Sequence, residues 1–442
     1  MPTTHKTRFA QPASALKAYT AAFLIACLCS PQIATAQTEE FVLTDKQEAD
    51  AIDEEVQGEI IAKEDGDGSY DDATGSIDIT STFKGFQFTP DVRALVATER
   101  DELVDGEVSR DNVLRIRARL RGQYAVTQYL RGTVRVAMLC TSDSCEPNPT
   151  LDSSTSGGNS IEGGDITLDE AYLHLFRLKK FDIAAGRMQT KFVARGGVFA
   201  KSLDRNNSNN TRVNWTDGIH ATYRADNGWN SHFIAEYNSS DGSSSFNNGA
   251  LDFSESKSRV SYFAGFENRK RTRFFLQRAL DISYLPKTLI KDGQGNSAKE
   301  DYYAAVIRSA NRWPEKNDGL RLRVAAELGY APNTPTKQSV GLNGTSEADG
   351  LAWNVVASLM DFLPSQNIGF NYGHTGAGWL ISPQYSPNTK LAEVRYQWRK
   401  NQNIAIELRY RHQKPLEKPT GFDGTLDNKD AWLRVTIAPP RK

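Results

Sequence analysis

Arg115, Arg117, Arg119 and Arg121 are spaced two apart, with Ile116, Ala118 and Leu120 between them. On a strand, alternate side chains fall on opposite faces, so this run has one face of four guanidiniums and one of plain hydrocarbon. A row of fixed cations can concentrate anions; it supplies no nucleophile. Other chemistry is missing from the chain. There is no Gly-x-Ser-x-Gly elbow, no His-Glu-x-x-His and no phosphate-binding Gly-x-x-x-x-Gly-Lys. His174, His220, His232, His374 and His412 fall one per strand or loop. The expectation is a protein that is not an enzyme and needs no metal or cofactor.

The elements that must position these arginines recur to the end of the chain. Alternation predicts strands near 91–100, 113–124, 130–140, 168–178, 181–190, 218–225, 229–238, 258–268, 272–283, 301–310, 319–330, 351–360, 366–374, 391–399, 403–412 and 431–438. Their connections alternate in length. Long polar loops are expected at 101–112, 141–167, 191–217, 239–257, 284–300, 331–350, 375–390 and 413–430, and short turns such as Lys179-Lys180 and Lys400 to Gln402 follow the even strands. No second apolar layer exists for these two-faced strands to pack on, and no run of about 18 apolar residues follows the first 36. The expected fold is all-β: a sixteen-stranded antiparallel transmembrane barrel, with short periplasmic turns and long extracellular loops.

The lipid-facing stripe reads as Leu320, Leu322, Val324, Ala326, Leu328 and Tyr330 on one strand. It reads as Ile404, Ile406, Leu408 and Tyr410 on another, and as Leu433, Val435 and Ile437 on the last. Tyr330, Tyr410 and Trp379 are placed in an interfacial girdle. Arg278 falls in phase with Phe274, Leu276, Leu280 and Ile282, which puts a charge toward lipid unless a bulge shifts the register or the residue sits at a rim.

Lys6, Arg8 and Lys17 precede an apolar run from Ala18 to Leu28, and Ala34-Thr35-Ala36 fits a signal-peptidase site, so 1–36 is expected to be removed. Leu24-Ile25-Ala26-Cys27 is a competing lipobox reading. Removal of the leader leaves Cys140 and Cys145. Export makes a disulfide between them the expected state, with two free thiols as the alternative. Residues 38–78 hold fifteen Asp or Glu against Lys46 and Lys63, a charge of -13, so 37–88 reads as an acidic, flexible segment and the barrel as 89–442. Asp65-Gly66-Asp67-Gly68-Ser69-Tyr70-Asp71 resembles the start of a calcium loop but lacks its later glycine and glutamate.

The net charge of -1 conceals a basic barrel. Without the leader's three cations, 50 Lys+Arg remain against 54 Asp+Glu; subtracting the acidic segment's 2 and 15 gives 48 against 39, or +9. Arg93, Arg131, Arg135, Arg321, Arg323, Arg395, Arg399, Arg409, Arg411 and Arg434 share the inward face with the opening four, and Glu327, Glu393 and Glu407 partly neutralise them. Barrel closure would join the first and last strands and make these arginines one arc; a ladder of Arg and Glu that merely holds the wall is the alternative.

Asp169-Glu170-Ala171-Tyr172-Leu173 with Ala185-Gly186-Arg187, and Arg115-Ile116-Arg117-Ala118-Arg119, resemble segments of the bacterial porins, within them the phosphate-selective group. The resemblance covers roughly 89–438. It implies a homotrimer in the Gram-negative outer membrane whose third external loop narrows the channel, here Lys191 to Asp217 with Lys191, Arg195, Lys201, Asp204, Arg205 and Arg212. The chain departs from the family at its end, Ala438-Pro439-Pro440-Arg441-Lys442, where an aromatic residue is usual. The expected function is passive diffusion of small hydrophilic solutes with anion preference, phosphate-like anions among them. The expected partners are outer-membrane lipid and small anions, not nucleic acid. A general channel, a sugar or polymer exporter, and a plugged barrel that binds a partner are the alternatives.

Overall fold

The computed structural model describes residues 86–442 apart from 152–162, 179, 206–214, 239–249, 254–258, 271, 273–274, 292–298, 314–319, 402, 421–424 and 438–442. The leader, the acidic segment and Arg212 therefore lie outside the described residues.

The strands are β1 (Phe86–Leu103), β2 (Val108–Thr127), β3 (Leu130–Thr141), β4 (Asn148–Pro149), β5 (Asp165–Leu178), β6 (Phe181–Met188), β7 (Thr216–Arg224), β8 (Trp229–Asn238) and β9 (Arg259–Asn268). They continue as β10 (Gln277–Leu289), β11 (Glu300–Trp313), β12 (Arg321–Tyr330), β13 (Leu351–Leu363), β14 (Gln366–Thr375), β15 (Thr389–Arg399), β16 (Ile404–Pro415) and β17 (Thr425–Ile437). Two-residue β4 runs parallel to β5 outside the barrel's main pairing; the other sixteen strands pair antiparallel with their neighbours in sequence. β1 closes the ring: Arg93 lies opposite Arg117 on β2 and opposite Thr436 on β17. Closure leaves no open sheet edge, which a bilayer core would not tolerate.

The two faces separate as the alternation predicts. Val96, Leu120, Val134, Leu173, Ile219, Phe233, Ile307, Leu328, Val355, Phe370, Leu408 and Leu433 are exposed on the outside. Such a continuous apolar belt is foreign to a protein in water and suits contact with hydrocarbon. Aromatic residues mark its rims. Phe86 stacks on Tyr124 at 4.6 Å near the short-turn end, and Tyr284 stacks on Tyr303 at 4.9 Å near the long-loop end. Arg278 does point outward, at the turn-side end of β10, with its guanidinium 5.8 Å from the ring of Trp229 and 5.5 Å from that of Phe275. Leu276 and Gln277, adjacent in sequence, are both buried, so the alternation that puts Leu276 in phase with Arg278 breaks there.

Two sequence expectations need correction. The first connection is no long loop: β1 and β2 continue as a paired hairpin with Glu102 opposite Val108. Above the bilayer the wall has no lipid to face, so both of its sides are polar and the hydrophobic period disappears. Trp379 is not part of a girdle. It is fully buried inside the barrel, where its indole Nε1 donates to the Leu203 carbonyl at 2.9 Å.

Gly186, within the hairpin formed by β5 and β6, has φ +126°, and a Cβ there would stand 2.3 Å from the Ala171 carbonyl oxygen. Both the dihedral and the close approach require glycine. Gly186→Ala is expected to cost about 1–3 kcal/mol of barrel stability, measured as the urea midpoint of unfolding from lipid vesicles.

Candidate functional site

Closure places β15, β16, β17, β1, β2, β3 and β5 side by side, and their inward positions carry most of the predicted arginines. Arg117 donates to Asp91 at 2.6 Å and Arg93 to the same carboxylate at 3.2 Å. Arg395 pairs with Glu393 at 2.6 Å and Glu407 at 3.2 Å, and Arg434 pairs with Glu407 at 2.8 Å. Arg409 and Arg411 share the buried Asp430. Arg395, Arg409 and Arg434 also surround the ring of Trp432, 5.6, 4.7 and 5.3 Å from its centroid. Arg131 stands 5.0 Å over Phe176. Among the described residues, neither Arg115 nor Arg131 has a carboxylate partner.

The densest knot depends on a bulge. Between β3 and β5 the register shifts, so that Arg135 faces Glu170 and Val136 faces Leu168. Asp169 is the extra residue, and it turns inward together with Glu170; both are buried. Strict alternation would have sent one of the two carboxylates toward lipid. Arg135 grips Asp169 through two bonds of 2.9 Å each, and Arg121 grips Glu170 through bonds of 2.8 and 2.9 Å. Arg119 lies 2.8 Å from Asp169. These bidentate pairs are the geometry for which guanidinium is suited. The sequence reading missed Asp91, Asp169 and Glu170 as partners, because nothing local distinguishes an inward carboxylate from a loop one.

The other predicted arginines stand apart from this wall. Arg321 pairs with Asp361 and Arg323 is buried on β12, across the ring, while Arg399 is exposed at the turn-side end of β15. Arg308 on β11, which the sequence reading passed over, bonds Glu327 at 2.7 Å and also pairs with Asp281.

The connection after β6 runs inside the barrel. Lys191 is half-buried, and residues 192–205 are buried throughout. Arg195 takes a bond through its backbone N–H to Gln277 on β10 at 2.8 Å. A Cβ on Gly197 would stand 2.7 Å from Ser358, and one on Gly369 2.3 Å from Val198, so loop and wall are in van der Waals contact. Phe199 lies under Arg395 at 4.9 Å, and Lys201 pairs with Glu393. Ser202 donates to Glu327 at 3.2 Å and the Leu203 N–H donates to it at 3.0 Å. Arg205 pairs with Glu236 on β8 at 2.5 Å. A second inward segment, around Trp379 to Tyr385, packs on the first: Ser382 donates to the Ser202 carbonyl at 2.9 Å. Together they fill the β8 to β15 side of the lumen, where the largest buried apolar cluster sits. Cys140 and Cys145 are disulfide-bonded at the long-loop end of β3.

Asp204 accepts from Ser283 at 3.1 Å. Burial pushes its carboxyl above the ordinary carboxylate range, against the opposing pull of Arg205 and Arg308. A carboxyl whose value is higher in the docked loop than in a free one favours docking when protonated. That contribution is full below the ordinary 3.8 and is lost as pH rises through the raised value of the docked carboxyl. Loop excursions, read as open-channel current noise, are therefore expected to be fewer at pH 5 than at pH 7.5, and Asp204→Asn should remove the difference.

No family model and no curated protein matches the chain. Among solved structures it is similar to OprB of Pseudomonas putida, with TM-score 0.54 and 11% identity over 80% of this chain and 94% of that one. It is also similar to OmpF of Salmonella typhi (TM-score 0.47, 12% identity, 80% and 98% covered). A third is the anion-selective porin of Comamonas acidovorans (TM-score 0.46, 9% identity, 80% and 99% covered). At this identity the likeness speaks for the fold alone. In fold, this chain is a closed sixteen-stranded antiparallel β-barrel similar to that of OprB, with an apolar belt around its outward surface.

Proposed function

We propose that the chain is a passive outer-membrane diffusion channel with a preference for small anions, phosphate-like oxyanions among them, and that it works as a homotrimer without enzymatic activity, metal or cofactor. The observation that carries this reading is the continuous inward wall of arginine from β15 around to β5. Arg93, Arg115, Arg117, Arg119, Arg121, Arg131, Arg135, Arg395, Arg409, Arg411 and Arg434 are eleven cations. The same inward face carries ten carboxylates, Asp91, Glu99, Asp101, Asp111, Asp165, Asp169, Glu170, Glu393, Glu407 and Asp430, so the wall as a whole is nearly balanced. Its excess of cations sits on β1, β2 and β3 at the level of Arg93 to Arg135, with Glu99, Asp101 and Asp111 nearer the long-loop end. Fixed charge in a pore with low-dielectric walls raises the concentration of counter-ions and depletes co-ions. The infolded Lys191 to Arg205 segment narrows the lumen from the opposite side and adds Lys201 to the same field.

The test is the reversal potential of the purified protein in planar bilayers under a KCl gradient. Its sign should report chloride as the more permeant ion. A potassium-favouring sign would leave the arginines as wall structure only, and absence of conductance would remove the channel reading.

The almost complete burial of Arg93 and Arg117, at 1% and 0% exposure, favours a second reading in which the lumen is closed at rest. The acidic segment 38–78 is the candidate plug on charge grounds, its -13 complementing the wall. Deleting it should then raise the single-channel conductance.

A further inference from the structure

At the long-loop end of the barrel, the outward face of five adjacent strands turns from apolar to cationic. The change comes within one or two outward positions of the last apolar residues, for example above Val96 on β1 and above Ala431 on β17. Lys390 (β15), Lys414 and His412 (β16), Lys429 (β17), Arg100 (β1) and Arg110 (β2) form the strip. Their registers are unusual. Lys390 is directly opposite Lys414, His412 opposite Lys429, Lys429 opposite Arg100, and Arg100 opposite Arg110.

Like charges directly opposed on one face of a sheet repel, and a run of such pairs is unfavourable unless something anionic sits on it. The strip's own carboxylates do not suffice. Asp427 accepts from His412 at 2.7 Å and Lys429 at 3.1 Å, and Glu102 lies 3.6 Å from Arg100. Lys414 lies 3.8 Å from the same Asp427, so among the described residues two carboxylates face five Lys and Arg. The side chains are open to the surroundings, at 33% for Arg100, 46% for Lys414 and 35% for Lys429. Across the ring the matching rim has no such cationic row: Tyr262, Tyr284 and Tyr303 stack there, and Tyr284 and Tyr303 donate to the Asp301 carboxylate. The cations are therefore a property of one side of the barrel.

We propose that this strip binds the phosphate groups of phosphorylated lipid in the leaflet at the long-loop end. The inference rests on the barrel's placement in a membrane and not on the channel reading, which a conductance measurement addresses separately. Two features point to a lipid. The strip lies immediately above the hydrocarbon belt, at the depth of headgroups, and it faces outward, away from any solute in the lumen. Anionic headgroups attract basic residues that flank a membrane-embedded surface, and five such residues side by side present several phosphates with partners at once.

The experiment uses the full chain in neutral detergent, with the thermal unfolding midpoint as readout and three probes: short-chain phosphatidic acid, short-chain phosphatidylcholine and inorganic phosphate. A ligand that binds the folded barrel raises the midpoint. The expected result is a shift with phosphatidic acid at least about threefold larger than with phosphatidylcholine. The variant Arg100→Ser/Lys414→Ser/Lys429→Ser should lose most of that shift while keeping its midpoint in phosphatidylcholine. Should that variant not fold, Lys390→Ser/Arg110→Ser tests the same strip, since neither side chain has a carboxylate partner among the described residues. Equal shifts with both lipids, or an undiminished shift in the variants, would overturn the proposal. An equal shift with inorganic phosphate would reduce the strip to an adventitious anion site and overturn it as well.

Discussion

Glu327→Ala is expected to detach the infolded loop and raise single-channel conductance, and to lower barrel stability by about 3–5 kcal/mol, the usual cost of breaking one side of a buried ion pair. Glu327 is the point where loop and wall meet. It accepts from Arg308 at 2.7 Å, from the Ser202 hydroxyl at 3.2 Å, from the Leu203 N–H at 3.0 Å and from Asn354 at 2.5 Å. Its removal takes two anchors from the loop and one of two carboxylates from Arg308, which keeps Asp281 and a bond to the Ser202 hydroxyl. Glu327→Gln keeps an acceptor for the Leu203 N–H but not the charge, so it should fall between the parent and the alanine variant. Conductance and the urea midpoint, measured on the same preparations, check both effects. Unchanged conductance with lowered stability would mean that Glu327 holds the wall and not the constriction.

The second large effect is on selectivity, and the structure changes which residues should be replaced. Removing Arg117 or Arg119 would take one of two guanidiniums from the buried Asp91 or Asp169, and the resulting loss of stability would confuse any change in permeation. Arg115 and Arg131 have no carboxylate partner among the described residues, so Arg115→Ser/Arg131→Ser removes field without breaking a pair. An ion passing about 8 Å from one such charge in water feels about 0.5 kcal/mol, roughly halved by screening at 0.1 M salt. The effect has opposite sign for anion and cation, so each charge changes their permeability ratio about twofold and the pair about fourfold. Reversal potentials before and after the double replacement measure this directly. A ratio unchanged within error would place the permeation path away from β2 and β3.

Much of the barrel was legible because a strand's two faces are written locally. The stripe Leu320 to Tyr330 reads off in steps of two, and in the structure Leu322, Leu328 and Tyr330 are exposed while Arg321, Arg323 and Glu327 between them are buried. The count of sixteen strands followed from the same period and from the sorting of connections by length. Where the period failed, a physical cause is visible. The β1–β2 hairpin outgrew its expected length because it stands above lipid. Leu276 turned inward because the strand starts only at Gln277, and Arg278 is tolerated on the outside because it sits among aromatics at the rim.

The sequence by itself determined that this chain makes a barrel, which face of each strand meets hydrocarbon, and that the other face is rich in arginine. Only the tertiary structure decided what those arginines touch. Arg121 finds Glu170 and Arg117 finds Asp91, 49 and 26 residues away, and Lys201 reaches Glu393 across 192. It also decided that Asp169 and Glu170 both turn inward, and that Trp379 anchors a loop rather than the membrane interface. The reason is one of range. Alternation is fixed by the geometry of neighbouring residues, whereas ring closure, a one-residue bulge and a loop folded into a lumen depend on contacts between distant segments, which leave no period in the chain.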